Sequence, residues 1–232
     1  MFGRKKNANR LDYKKRDLVT LVNPKSPISE QYRTIRTNLE FTSVGHQLQM
    51  ITITSASSGE GKSTTAANLG VVYAQLGKNV VILDCDMRKP TAHQTFQLSA
   101  HEGLSTVLAG RVTLEHALQK TDIPRLTLLA AGPIPPNPTE LIASSYMTDL
   151  LSDLREQFDI VIVDTPPMMH VADARLLANV SDGTILVIGC ENSDRQLVLK
   201  AKEQLERTGS QLLGLVLNKR SSRDTNTYYV YE

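Results

Sequence analysis

Only two residues of the 232 are cysteine, too few for a disulfide framework. Cys85 and Cys190 each fall in a strand-like apolar setting, so both read as reduced core residues of a cytosolic protein. No apolar run approaches the roughly 18 residues that a membrane-spanning helix needs. The first residues are basic but no apolar segment follows them, so they do not read as a secretory signal. The net charge is only +2, which gives no global argument for nucleic-acid binding. What is there is 41% hydrophobic over 232 residues, enough for one sizeable α/β domain or at most two small ones.

The most informative stretch is Ala56-Ser57-Ser58-Gly59-Glu60-Gly61-Lys62-Ser63-Thr64. A β-branched run, Ile51 to Thr54, precedes it, and an alanine-rich helical run, Thr65 to Leu76, follows. Strand, glycine loop, helix is the context of a phosphate-binding P-loop. Backbone N–H groups of such a loop wrap a phosphate, and the helix N-terminus adds partial positive charge. Lys62 is expected to reach the β- and γ-phosphates of ATP, and the Ser63 hydroxyl to ligate Mg²⁺. Ala56 stands where the usual pattern has its first glycine; alanine is small enough to serve.

Elsewhere the chain alternates strands and helices. Residues 1–23 read as a basic extension carrying Arg4, Lys5, Lys6, Arg10, Lys14, Lys15 and Arg16, either a solvated tail or a segment attracted to an anionic surface. Ser29 is expected to cap a helix to about Phe41 (residues 28–42) with Tyr32, Ile35, Leu39 and Thr42 on one face. Glu30, Arg33 and Arg36 make a second, charged stripe, which is either a solvated face or a docking face for another subunit. Continuous apolar strands are expected at 79–83, 126–131, 158–163, 184–188 and 212–218. Helices are expected at 139–157, at 172–180 and from a Ser193 cap to Thr208, with two short ones in 104–118. The fold class is therefore α/β: a single domain (24–220) with a mostly parallel P-loop sheet, helices on both faces and right-handed crossovers. Residues 221–232 carry Tyr228, Tyr229 and Tyr231, three of the chain's seven tyrosines. They are either docked on the domain or presented to a kinase.

Two strands end in acids, at Asp84 and Asp86 and at Asp164, on the sheet edge where open α/β sheets bind ligands. Phosphoryl transfer asks a protein for positioning and charge neutralisation, not covalent help. Lys62, Mg²⁺ and the loop amides supply these. Asp164 is expected to hold the metal through water, Asp86 to act behind it, and Asp84, one strand over, to take or orient the proton of an attacking hydroxyl. Whether water or a phenol attacks is open at this level.

The set of motifs resembles the bacterial tyrosine kinases (BY-kinases) of capsule and exopolysaccharide systems, within the P-loop group that includes the partitioning and cell-division-site ATPases. Ser58 to Thr64 matches their Walker A motif, Ile82 to Arg88 the extra Walker A′ motif, and Val161 to Pro167 Walker B. Glu30, Arg33 and Arg36 match the helical oligomerisation motif; Pro135 to Leu141 and the tyrosine cluster match as well. The resemblance implies transfer of phosphate from ATP to protein tyrosine and autophosphorylation of Tyr228, Tyr229 and Tyr231 between protomers of a homo-oligomeric ring. It implies other protein substrates, a cognate tyrosine phosphatase and no nucleic acid. It also implies a cytoplasmic chain recruited to the inner membrane face by a transmembrane modulator whose cytoplasmic tail activates it. Base contact by Asn218 is carried over from related P-loop ATPases. Phosphate arriving near Asp84 and Asp86 is expected to expel the tail. The alternatives are a P-loop ATPase switch and a nucleotide-bound scaffold; Ser57, where the switch ATPases carry a signature lysine, counts against the switch.

Overall fold

The computed structural model describes residues 18–42, 48–191 and 193–220. The basic residues Arg4 to Arg16 and the tyrosines Tyr228, Tyr229 and Tyr231 lie outside the described residues. In chain order the elements are α1 (Val19–Val22), α2 (Pro27–Thr42), β1 (Met50–Ser55), α3 (Lys62–Gln75), β2 (Val80–Asp84), α4 (Ala92–Phe96), α5 (Leu104–Leu108), α6 (Leu114–Ala117), β3 (Leu118–Lys120), β4 (Leu126–Leu129), α7 (Pro138–Ile142), α8 (Ser145–Gln157), β5 (Ile160–Asp164), α9 (Asp173–Val180), β6 (Gly183–Gly189), α10 (Arg195–Arg207) and β7 (Leu212–Asn218).

Every residue of β1, β2 and β5 is buried, as their unbroken apolar runs require of strands covered on both faces. Alternate side chains go to opposite layers. Ile51, Ile53, Ile82 and Ile162 join one cluster with Leu69, Val72 and Tyr73 of α3 and Leu39 of α2. Val81, Leu83, Val161 and Val163 join the other with Leu150, Leu151 and Leu154 of α8. Each such side chain contributes about 1.5–3 kcal/mol by leaving water.

The sheet runs β3-β4-β2-β5-β1-β6-β7, parallel except for β3. The order corrects one expectation: β5 separates β2 from the P-loop strand β1, so Asp84 is two strands from the loop and pairs in register with Asp164. β3 itself is a short antiparallel edge strand that the apolar pattern does not announce, because it is exposed or half-buried throughout.

Local capping accounts for most other departures. Ser26, not Ser29, caps α2: its hydroxyl accepts from the Ser29 N–H at 3.1 Å, and Pro27 takes the first helical position that suits its missing N–H. Ser29 is buried and donates to the carbonyls of Val19 and Asn23. Thr42 is exposed, not on the packed face. The helix expected over 139–157 is two helices, because Ser144 caps α8 by accepting from the Met147 N–H. Asp194, not Ser193, caps α10. Cys85 is buried but Cys190 is exposed just past β6, so only one of the two is a core residue. Leu18 and Thr20 are also buried; Thr20 donates twice to Asn68 of α3, so the domain's packing starts upstream of residue 24.

Candidate active site

The loop between β1 and α3 is shaped by Gly61, whose φ of +98° lies where side-chain-bearing residues are strained. A Cβ there would also stand 1.9 Å from Nδ2 of Asn218. Asn218, the last residue of β7, donates from Nδ2 to the Glu60 carbonyl at 3.0 Å. The Glu60 side chain is turned into the protein, where its carboxylate accepts from the Ser57 N–H at 3.0 Å and from the Ser193 hydroxyl in a short contact. The loop is thus braced from inside by β6–α10 and β7, leaving its other face free. Ser58, Gly59, Gly61, Lys62, Ser63 and Thr64 line an open cleft of about 810 Å³.

Three carboxylates stand behind that cleft. Asp84 is fully buried, and its oxygens accept from the N–H groups of Asp86 and Ala92, both at 3.1 Å. Burial first, and then the neighbouring charge of Asp164, raises its affinity for a proton. Asp86 accepts from the Lys89 N–H at 3.0 Å and from Lys62 Nζ at 3.2 Å, and it alone of the three lines the cleft. Asp164 is 1% exposed, and among the described residues neither of its oxygens has a hydrogen-bond partner of normal geometry. Burial raises its pKa as well, while the Lys62 charge and the nearby Ser63 hydroxyl pull it down.

A buried carboxylate left bare is costly unless a cation or donor completes it. Asp164 beside Ser63 therefore fits Mg²⁺, which takes one or two protein oxygens plus phosphates and water, not an all-protein cage. Consistently, among the described residues no group of three or more His, Cys, Asp or Glu is arranged to hold a metal by itself.

The structure thus gathers Lys62, Ser63, Asp84, Asp86, Asp164 and Asn218 at one edge of the sheet, but keeps Asp84 off the cleft surface. It also gives partners that the sequence reading did not assign. Arg88 donates to the Asp173 carboxylate from Nε at 3.1 Å and to the Thr139 hydroxyl from Nη2 at 2.9 Å. Its partners lie 85 and 51 positions away, so no local pattern could reveal them. Ser193 is 133 positions from Glu60.

On α2 the charged stripe is turned partly inward. Arg33 pairs with Glu30 at 2.6 Å and donates to the Pro24 carbonyl at 2.9 Å. Arg36 is half-buried, 3.7 Å from Glu40, and donates to the Val72 carbonyl of α3 at 3.3 Å.

Comparison with known proteins agrees with this architecture. The AAA domain family matches residues 48–208. The tyrosine-protein kinase YwqD of Bacillus subtilis is 47% identical over 223 residues, covering 96% of this chain and 94% of that protein. Among solved structures, the chimerical protein CapA2B2 superposes with a TM-score of 0.86 at 45% identity, covering 88% of this chain and 90% of that one. The kinase domain of the Escherichia coli tyrosine kinase ETK superposes with a TM-score of 0.84 at 32% identity, over 93% of this chain and 84% of that one.

Proposed function

The chain belongs to the bacterial tyrosine-protein kinases, P-loop proteins of the AAA domain family, and from that premise we propose that it moves the γ-phosphoryl group of Mg-ATP onto protein tyrosine, its own Tyr228, Tyr229 and Tyr231 included. In this reading the phenol oxygen attacks the γ-phosphorus, the bond to the β-phosphate oxygen breaks, and ADP leaves. The amides of Ser58 to Thr64 and the Lys62 ammonium hold the phosphates and offset their charge. Asn218 stands at the base end of the cleft. Ser63 and Asp164, with Asp86 at the cleft, would hold Mg²⁺, which when bound neutralises phosphate charge. The phenolic proton goes to the acid cluster, with Asp86 at the cleft and Asp84, whose proton affinity burial raises, behind it.

The observation that carries the reading is Asp164: a fully buried carboxylate with two bare oxygens, next to a P-loop serine and lysine. A chain that only needed a stable core would not keep it. Lys62 Nζ lies 3.2 Å from the Asp86 carboxylate, which keeps the lysine at the cleft.

The wider role follows from the resemblance to capsule and exopolysaccharide kinases: a homo-oligomeric ring, other tyrosine-bearing substrates, a cognate phosphatase and a membrane modulator that activates the kinase at the inner membrane face. The likeness to a chimerical protein, CapA2B2, supports a chain that works joined to a second one. Among the described residues no helix is long and apolar enough to cross a membrane.

Radiolabelled ATP tests the reading. Label should appear on tyrosine, and should be lost with a chelator and in Asp164→Asn. Release of free phosphate with no phosphotyrosine would return the chain to the ATPase-switch alternative.

A further inference from the structure

The three acids behind the cleft are hidden, and the charge that meets an incoming peptide is of the other sign. Asp84, Asp86 and Asp164 are between 0% and 4% exposed. Around the cleft stand Lys62, Arg88, Lys89 and Lys219, with Asp86 as the sole acid in the lining among the described residues, already paired to Lys62. An acidic group near the acceptor would therefore be drawn in, contrary to the repulsion that Asp84 and Asp86 suggest when read in sequence alone.

Strand order says which end of this rim faces the acceptor. Asn218 closes β7, two strands to one side of β1, while Arg88 and Lys89 follow β2, two strands to the other side. With the base at the Asn218 end and the phosphates over the P-loop, the far end is where a phenol must enter. Arg88 is built for recognition there. Asp173, 1% exposed, and Thr139 fix its Nε and Nη2, and Thr139 also donates to Asp173. Among the described residues Nη1 has no hydrogen-bond partner, leaving two N–H donors of a pre-oriented guanidinium at the cleft wall. A fixed guanidinium loses little side-chain freedom on binding a carboxylate or phosphate.

We propose that Arg88, oriented by Asp173 and Thr139 and helped by Lys89, is a specificity-determining residue that selects acceptor tyrosines flanked by an anionic side chain. This rests on the kinase reading above, since it assigns the acceptor side of that site. The chain's own segment fits: Asp224 precedes Tyr228, and Glu232 follows Tyr231.

Binding separates this inference from the kinase reading. A fluorescent peptide of residues 221–232 is titrated into the full chain with magnesium and a non-hydrolysable ATP analogue. It is compared with a neutralised peptide bearing Asp224→Asn and Glu232→Gln, with a peptide bearing Asp224→Lys and Glu232→Lys, and with the neutralised peptide phosphorylated on Tyr231. Affinity should fall about threefold on neutralisation and further with lysine, as exposed charge pairs of this kind do. It should weaken with salt. Recovery by the phosphopeptide would show that phosphate serves in place of carboxylate; no recovery would assign the site to carboxylates. Arg88→Gln should erase the ranking while the nucleotide affinity holds. Lys89→Gln, an exposed change that leaves Asp173 paired, should reduce the ranking if the first variant fails to fold. Equal affinity for all four peptides, or loss of nucleotide affinity with the ranking intact in Arg88→Gln, would overturn the proposal. Absence of phosphotyrosine with the ranking present would sink the kinase reading alone.

Discussion

A single methyl group separates a working P-loop here from a blocked one. At Gly61 a Cβ would meet the Asn218 amide at 1.9 Å, and the φ of +98° is strained for any other residue by about 1–3 kcal/mol. Gly61→Ala should therefore lower both the urea midpoint and the affinity for a fluorescent ATP analogue, the latter at least tenfold. Unchanged affinity would remove Asn218 from the loop's support. Asp84 makes a different prediction, on pH. Its unfolded carboxyl titrates near pH 4; in the fold, burial and Asp164 raise its proton affinity. Below about pH 4 it is protonated in both states. Above that, the unfolded chain releases its proton while the folded protein still holds it, so this contribution to stability falls with pH and is gone once the pH passes the raised value. Asp84→Asn lacks this contribution. Its urea midpoint should gain on the wild type steadily from about pH 5 to 8, and a constant difference would contradict the raised pKa.

Helix α2 carries a charged stripe on which the sequence left two readings. Its apolar face, Tyr32 and Leu39, is packed on the domain, and Arg36 is drawn toward α3. Among the described residues Arg33 reaches only its own helix and the Pro24 carbonyl, so it is the cleaner probe. If the stripe is an interface, Arg33→Ala should shift sedimentation toward monomer while altering monomer stability by less than about 1 kcal/mol. An identical profile would make it a solvated face. At this scale the sequence was legible where one signal dominated. Buried strands such as Val80–Asp84 and Ile160–Asp164 announce themselves by unbroken apolar runs. Helix ends were less legible because capping residues compete: Ser26 with Ser29, Asp194 with Ser193, and Ser144 inside a helix-permissive run. β3 was missed because three half-exposed residues carry no period. In the site, Lys62, Ser63 and the acids could be read from motifs. The Arg88–Asp173–Thr139 and Glu60–Ser193 links could not, since only the fold brings those residues together.

At the scale of the whole molecule, the order of strands bears on whether the proposed tail phosphorylation runs within a protomer or between protomers. Apolar strands of like composition do not reveal their order, and the placement of β5 between β1 and β2 came only from the structure. With β7 on the opposite side of β1 from β2, the chain leaves Asn218 away from the Arg88 side, at what in the proposed reading is the base end of the cleft. An extended chain from Asn218 to Tyr229 spans at most roughly 35–40 Å, enough to reach its own cleft only by doubling back across it. A neighbour's tail would have no such constraint, so the proposed tail phosphorylation is expected to run between protomers. The decisive measurement mixes full-length Lys62→Met, which keeps its tail but loses the phosphate-binding ammonium, with an active chain lacking residues 225–232. After incubation with Mg-ATP, mass spectrometry of the Lys62→Met chain should find phosphate on Tyr228, Tyr229 and Tyr231. A tail left unmodified, under conditions where the intact wild-type chain labels itself, would contradict the account.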